Sequence, residues 1–201
     1  MSAGSDTVGA RRSAARRILV AWMGICALFS GPVAQAEKDG SIEIRSAYTA
    51  IDDGVYYLNG RVDLLLSKDA QNALENGVAL NIELQIEVSQ RRRYVWDKTV
   101  ASLRQRYQLT YHALTGRYVL SNLNSGERES FSSLDNALVR LGDIQRLPVI
   151  DEALLDAETR YDGNLRVQMD IREMSGPLRV LTLFWGDWRV TSEWYRWPVQ
   201  R

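Results

Sequence analysis

The alternation of hydrophobic and polar positions is strictest in one stretch near the middle of the chain. Residues 78–88 place an apolar side chain at every second position: Val78, Leu80, Ile82, Leu84, Ile86 and Val88. Because successive side chains leave a strand on opposite faces, this pattern predicts a strand with one face in the core and the other in water. The remaining elements are expected to cover its apolar face.

The first two strands are predicted to form a hairpin. Extended runs at residues 42–50 and 55–66 are separated by Asp52-Asp53-Gly54. A three-residue loop with glycine in the left-handed conformation would set Ile42 opposite Leu64 and Tyr48 opposite Leu58, and would keep apolar residues together on one face. We expect this loop length to fix the register of the hairpin.

A second hairpin is predicted to join the central strand to the next alternating run, residues 103–111. A turn at residues 95–96 would set Leu84 opposite Tyr107, and on the other face it would bring acidic and amide side chains across from arginines. Further strands are predicted at residues 118–123, 161–172 and 188–197. Leu147-Pro148 is expected to break the chain, residues 151–155 to form one more helical turn, and the run at residues 178–185 is ambiguous.

Two short helices are predicted between the strands. Ser67 is a suitable N-cap for the first, and Gly77 can end it. Ser132 or Ser133 caps the second, which carries an apolar stripe at i, i+3, i+4 and i+7: Leu134, Ala137, Leu138 and Leu141. The complete pattern predicts a mainly β protein, an antiparallel curved sheet or β-sandwich with two short helices.

The first 36 residues have the three parts of a secretory signal peptide. Four arginines precede an apolar run at residues 18–29, and small residues then lead to Ala34-Gln35-Ala36. We predict cleavage after Ala36, which leaves a single periplasmic domain of residues 37–201. The alternative is an inner-membrane anchor at residues 18–31, although the apolar run is shorter than the ~20 residues that a membrane span needs.

Composition excludes several classes of activity. Without the leader the net charge is about −3, which disfavours nucleic acid, and membrane contact is expected only through an uncleaved leader. The one cysteine, Cys26, lies in the leader, so disulfide scaffolds and cysteine-ligated zinc are not expected. His112 is the one histidine, and no nucleophile motif or glycine-rich phosphate loop accompanies it. We therefore predict no catalytic residues, metal or cofactor.

Two groups of residues are candidate binding surfaces. Cations and aromatics meet at the tip of the second hairpin, where guanidinium groups would form forked bonds to an anionic partner: Arg91, Arg92, Arg93, Tyr94 and Trp96. The other group is an aromatic patch near the C-terminus: Trp185, Trp194, Tyr195 and Trp197. Alternation of Trp188, Val190 and Trp194 favours an inward role that seals the core, against an exposed role in gripping sugars or peptides.

Three segments of the chain carry a family resemblance: residues 161–171, the Pro177-Leu178-Arg179 that follows, and the tryptophan-rich ending at residues 188–197. In these segments the chain resembles the family DUF4390, a proteobacterial domain of unknown function. The resemblance extends over about residues 42–198 and implies an exported protein with no assigned catalytic residues. Its members are often encoded beside a membrane sensor histidine kinase of the nitrogen-regulation type, which implies that kinase as a partner in the cell envelope.

These observations predict a periplasmic, non-enzymatic binding or accessory module. The alternatives are a structural envelope component and a periplasmic hydrolase acting on envelope polymers. Glu83 and Glu87 share a strand face, but four strand residues separate them by ~13 Å, which is longer than either glycosidase geometry requires. Pairing with Arg104 and Arg106 is the better interpretation of these acids.

Overall fold

The computed structural model describes residues 40–92, 95–171 and 189–200, which form antiparallel strands and two short α-helices. The predicted leader and the run at residues 178–185 lie outside this part. The strands are β1 Ser41–Asp52, β2 Val55–Leu65, β3 Leu80–Gln90, β4 Lys98–His112, β5 Arg117–Asn122, β6 Arg128–Phe131, β7 Asp143–Asp151, β8 Tyr161–Asp170, β9 Arg189–Thr191 and β10 Tyr195–Pro198. The helices are α1 Lys68–Glu75 and α2 Leu134–Gly142. The predicted mainly β, antiparallel class is confirmed.

The strands form two sheets. The smaller has the order β1-β2-β7, and the larger has the order β10-β8-β3-β4-β5-β6, with β9 also pairing with β8. Each pairing is antiparallel. The predicted central strand is β3, which lies between β4 and β8.

One hydrophobic core joins the two sheets and the helices. The alternating side chains of β3 are all buried, as the sequence predicts: Leu80, Ile82, Leu84, Ile86 and Val88. The first four share a cluster with Leu58 and Val62 of the smaller sheet and with the stripe of α2. Burial of each such side chain is worth roughly 1.5–3 kcal/mol, so β3 is the main source of stability that the pattern identifies.

The loop of the first hairpin is shorter than predicted. Asp52 pairs with Val55, so the loop has two residues, Asp53 and Gly54. Both have positive φ, 47° and 74°, which is the geometry that favours an aspartate–glycine hairpin. The three-residue loop is therefore wrong.

A β-bulge in β1 restores the predicted register in the part of the hairpin far from the loop. The register shifts between Ile44 and Ser46, so Arg45 is an extra residue on β1. Ile42 still pairs with Leu64 as predicted, but beyond the bulge the faces exchange. Tyr48, predicted to face inward, is therefore exposed, and Ala47 is buried instead.

The second hairpin has the predicted faces but a different register. Leu84 pairs with Gln105, and Tyr107 pairs with Ile82, which is a shift of two residues from the prediction. A shift of two preserves which side chains face the core. The pairing of β3 with β4 ends at Gln90 and Lys98, whereas the Arg91 N–H bonds to the Arg160 carbonyl oxygen (3.1 Å) and continues the pairing of β3 with β8.

Both predicted helices are present with their predicted caps. Ser67 Oγ accepts from the Ala70 N–H at 3.2 Å, and Ser133 Oγ accepts from the Asn136 N–H at 3.3 Å. The stripe of α2 is buried. Gly142 ends α2 against β2, where a Cβ would overlap the carbonyl oxygen of Val62. This glycine therefore allows close packing as well as ending the helix.

The segment after α2 differs in part from the prediction. Leu147-Pro148 was expected to break the chain, but both residues lie within β7. Proline is tolerated there because β7 is an edge strand of the smaller sheet. A single turn of 3₁₀ helix, Glu152–Leu154, follows where one more helical turn was predicted.

We expect Ile82→Asp to abolish cooperative folding, because the change removes a buried aliphatic side chain and places a carboxylate in the core. The measurement is urea unfolding followed by circular dichroism. Val139→Asp is the matched control, since Val139 is exposed on α2 and should tolerate the charge. Soluble Ile82→Asp protein with a cooperative transition would contradict the assignment of the core face.

Candidate functional site

The predicted arginine tip begins with a residue that is part of the folded base of the hairpin. Arg91 makes a forked interaction with Asp162 at the start of β8, with Nε–Oδ2 at 3.0 Å and Nη2–Oδ1 at 3.1 Å. The Asp162 side chain is only 5% exposed, whereas that of Arg91 is largely exposed. A buried carboxylate held by a planar guanidinium is a strong, orienting contact. Arg91 is therefore a structural cation whose outer side faces solvent.

Two further residues extend this contact into an ion-pair cluster, which we define as Arg91, Asp97, Asp162 and Arg196. Arg196 Nη1 lies 3.5 Å from Asp97 Oδ2 and 3.9 Å from Asp162 Oδ2. Its Nε also donates to Asn164 Oδ1 at 3.1 Å. The cluster ties together the end of β3, the β3–β4 loop, β8 and β10.

Sequence reasoning missed the structural role of Asp162. Asp162 is the second residue of β8 and pairs with Ser89 of β3, which brings it beside Arg91. The two charged residues are 71 positions apart. Only the register of β3 with β8 brings them together, and no local pattern signals it.

The rest of the described loop is an exposed tip. Trp96 is 94% exposed, Val95 is also exposed, and Arg92 lies on the surface. The Arg92 N–H bonds to Asp97 Oδ1 at 3.3 Å, which turns the chain toward β4. Arg93 and Tyr94 lie outside the described residues. We call Arg92, Val95 and Trp96 the tip surface.

The C-terminal aromatics that the structure describes do not form one patch. Trp197 is buried over Gly163, where a Cβ would overlap its indole ring, and Tyr195 is half-buried against the core. Trp194 is 40% exposed, with the Arg166 guanidinium 4.5 Å from its ring centroid. Trp185, like Trp188, lies outside the part of the chain that the structure describes.

The inward position predicted for Trp194 is wrong because the last strand is interrupted. Ser192 and Val167 exchange two hydrogen bonds: the Ser192 N–H donates to the Val167 carbonyl, and Ser192 Oγ accepts from the Val167 N–H. This arrangement separates β9 from β10 and changes which residues face inward. Trp197 therefore seals the core, and Trp194 packs on the polar face of the larger sheet beside Arg166.

A cleft of about 420 Å³ opens beside the ion-pair cluster. Arg91 and Asp162 line it, together with Tyr56 of β2 and the chain that follows β10. Tyr56 is only 1% exposed, and its hydroxyl has no hydrogen-bond partner among the residues described. Sequence reasoning missed this cleft because its walls come from four separate segments.

Other chemistry finds little support in the described residues. They contain no group of three or more histidine, cysteine, aspartate or glutamate side chains placed to hold a metal ion. His112 is exposed at the end of β4. Across residues 40–92, 95–171 and 189–200, no helix has the length and apolar character needed to cross a membrane.

Comparison with known proteins identifies one family. The model of a domain of unknown function, DUF4390, matches residues 39–198. The chain belongs to the DUF4390 family. No curated protein and no solved structure matches this DUF4390 domain. The resemblance predicted from the sequence is confirmed, and function must be argued from the site itself.

We expect Asp162→Asn to lower the free energy of unfolding by about 2 kcal/mol, because it removes the charge from hydrogen bonds that Arg91 makes to a buried carboxylate. Solvent around Arg91 keeps this below the cost of breaking a fully buried pair. Urea unfolding measures the change. Asp52→Asn is the control, since Asp52 pairs with Arg146 at 2.7 Å on the surface and should matter less. Equal losses in the two variants would contradict a special role for the cluster.

Proposed function

We propose that this DUF4390 domain is a non-enzymatic binding or accessory module of the periplasm, and that it contacts a protein partner through the tip surface. The observation that carries the proposal is Trp96, 94% exposed on a loop whose base is fixed by the ion-pair cluster. Tryptophan and arginine dominate the binding energy of protein interfaces. An indole on a fixed base also loses little conformational entropy on binding.

The proposed partner is the periplasmic portion of the sensor histidine kinase that family members are often encoded beside. The leader predicted at residues 1–36 supports a periplasmic location for this module. Arg92 gives the tip surface a positive charge next to its aromatic anchor. We therefore expect the contacted region of the kinase to be an apolar pocket with an acidic rim.

The hydrolase alternative has weaker support. A second cleft of about 280 Å³, between β2 and α2, is lined by Asp63, Asp135 and Asp143. Asp63 is held by Arg45 at 2.6 Å, and Asp143 accepts from Gln145 at 2.5 Å. Two of these three carboxylates thus already have protein partners, so the cleft does not favour a pair of catalytic acids.

The structural alternative predicts co-purification with cell-wall or membrane fractions.

We expect Trp96→Ala to weaken binding to the kinase's periplasmic portion by about tenfold or more, because truncation of a central anchor typically costs over ~1.4 kcal/mol. Titration calorimetry with purified residues 37–201 measures the change. Leu114→Ala is the matched control, because Leu114 is fully exposed in the β4–β5 turn. Loss of affinity in both variants, or in neither, would contradict a contact through the tip surface.

We expect Arg92→Glu to slow association several-fold at low salt and to have little effect at high salt, because exposed charges act mainly on the association rate. Surface plasmon resonance at two salt concentrations measures this. Arg91 must stay unchanged, since reversing its charge would disrupt the contact with Asp162 and the fold around it. An unchanged association rate would remove the electrostatic part of the proposal.

A further inference from the structure

We propose that the cleft beside the ion-pair cluster is a ligand site for a carboxylate carried on a small apolar body. The apolar body would occupy the cleft, and the carboxylate would lie at the arginines on its rim. This site goes beyond the protein contact proposed above, because the cleft is lined by different residues from those of the tip surface. It also predicts a ligand without requiring any catalytic chemistry.

The walls of the cleft suit an apolar group of modest size. They include aromatic and aliphatic residues from three segments of the chain: Tyr56, Leu155, Tyr161, Pro198 and Val199. Tyr56, Leu155, Tyr161 and Val199 also belong to a satellite hydrophobic cluster with Val88 and Ile150. A volume of about 420 Å³ lies within the range of small-molecule sites.

The hydroxyl of Tyr56 is the observation that points to a ligand. Its oxygen is fully buried and has no partner among the described residues, although the side chain lines the cleft. Tyr161, in the same wall, is different because its hydroxyl accepts from the Asp156 N–H at 3.1 Å. A buried polar group without a hydrogen bond is destabilising. Because this oxygen has no accessible surface, a ligand oxygen would bond to it after displacing a side chain of the wall, and would then supply the hydrogen bond that the hydroxyl lacks.

The charged residues of the cleft wall favour an anionic ligand. Among the described residues that line the cleft, Asp162 is the one acid, and both of its oxygens accept from Arg91. Arg91 makes these contacts through Nε and Nη2, so that its Nη1 takes no part in them, and Arg160 adds a second, exposed cation to the wall. The wall therefore carries an excess of positive charge at one side of a mostly apolar cleft. A single carboxylate on an apolar body matches this arrangement, because guanidinium groups form forked bonds to carboxylates.

Two kinds of molecule carry a single carboxylate on an apolar body. One is a free amphipathic acid, for which octanoate is the probe. The other is the apolar C-terminus of a polypeptide, for which N-acetyl-alanyl-leucine is the probe. Titration of the purified chain with each, followed by two-dimensional NMR, distinguishes them by their relative affinities. Octanol tests the need for the carboxylate, since it keeps the apolar body and removes the charge.

The decisive variant is Tyr56→Phe, for which both ligand affinity and melting temperature are measured. We expect octanoate or the dipeptide to bind about tenfold more weakly, which corresponds to one lost hydrogen bond. The melting temperature of the free protein should stay the same or rise, because the change removes a buried hydroxyl that has no partner. A merely structural role for the hydroxyl would lower the melting temperature instead. Arg160→Gln should also weaken binding, and Arg92→Gln, outside the cleft, is the matched control.

Several results would overturn the proposal. These are no saturable binding of either probe below about 10 mM, octanol binding as tightly as octanoate, and unchanged affinity in Tyr56→Phe. A loss of thermal stability in Tyr56→Phe would show that the hydroxyl has a partner within the protein. Trp96→Ala separates this proposal from the proposed function, since it should bind octanoate normally even where kinase binding is lost.

Discussion

Burial of the apolar face of β3 is the constraint on which the rest of this structure depends. That face is covered from the opposite side of the core by the smaller sheet and by the stripe of α2. Because β3 also pairs with β4 on one edge and β8 on the other, its position fixes the larger sheet. An unbroken alternation permits only shifts by an even number of residues, since a shift by one would expose every apolar side chain. The core therefore determines which face of β3 is buried more strictly than it determines the register of β3 with its neighbouring strands.

The ion-pair cluster connects this core to the candidate site. Asp162 lies buried at the start of β8 and binds Arg91, the first residue after the end of β3. Arg196 joins the cluster from β10, so three strands and a loop meet around one buried carboxylate. A buried carboxylate needs several donors to offset the loss of water, and these donors fix the geometry around it. The exposed tip and the cleft thus share a rigid base.

Residues of the same type take different roles in this structure. Of the arginines predicted to form a binding surface, Arg91 stabilises the fold, while Arg92 is exposed beside Trp96. The tryptophans near the C-terminus divide similarly, with Trp197 buried in the core and Trp194 stacked against Arg166 on a polar face. Residue types that look alike in the sequence therefore have different functions, which depend on the register of the strands that carry them.

The sequence by itself determined the class of fold, the faces of its central strands and both helices with their caps. Those features depend on neighbours within a few positions, where periodicity and capping act directly. Only the tertiary structure decided the bulge at Arg45, the two-residue shift between β3 and β4, and the interruption that turns Trp194 outward. It alone also brought Arg91 to Asp162 and built the cleft around Tyr56. The physical reason is that these features result from pairing between distant segments, whose register reflects packing across the whole core.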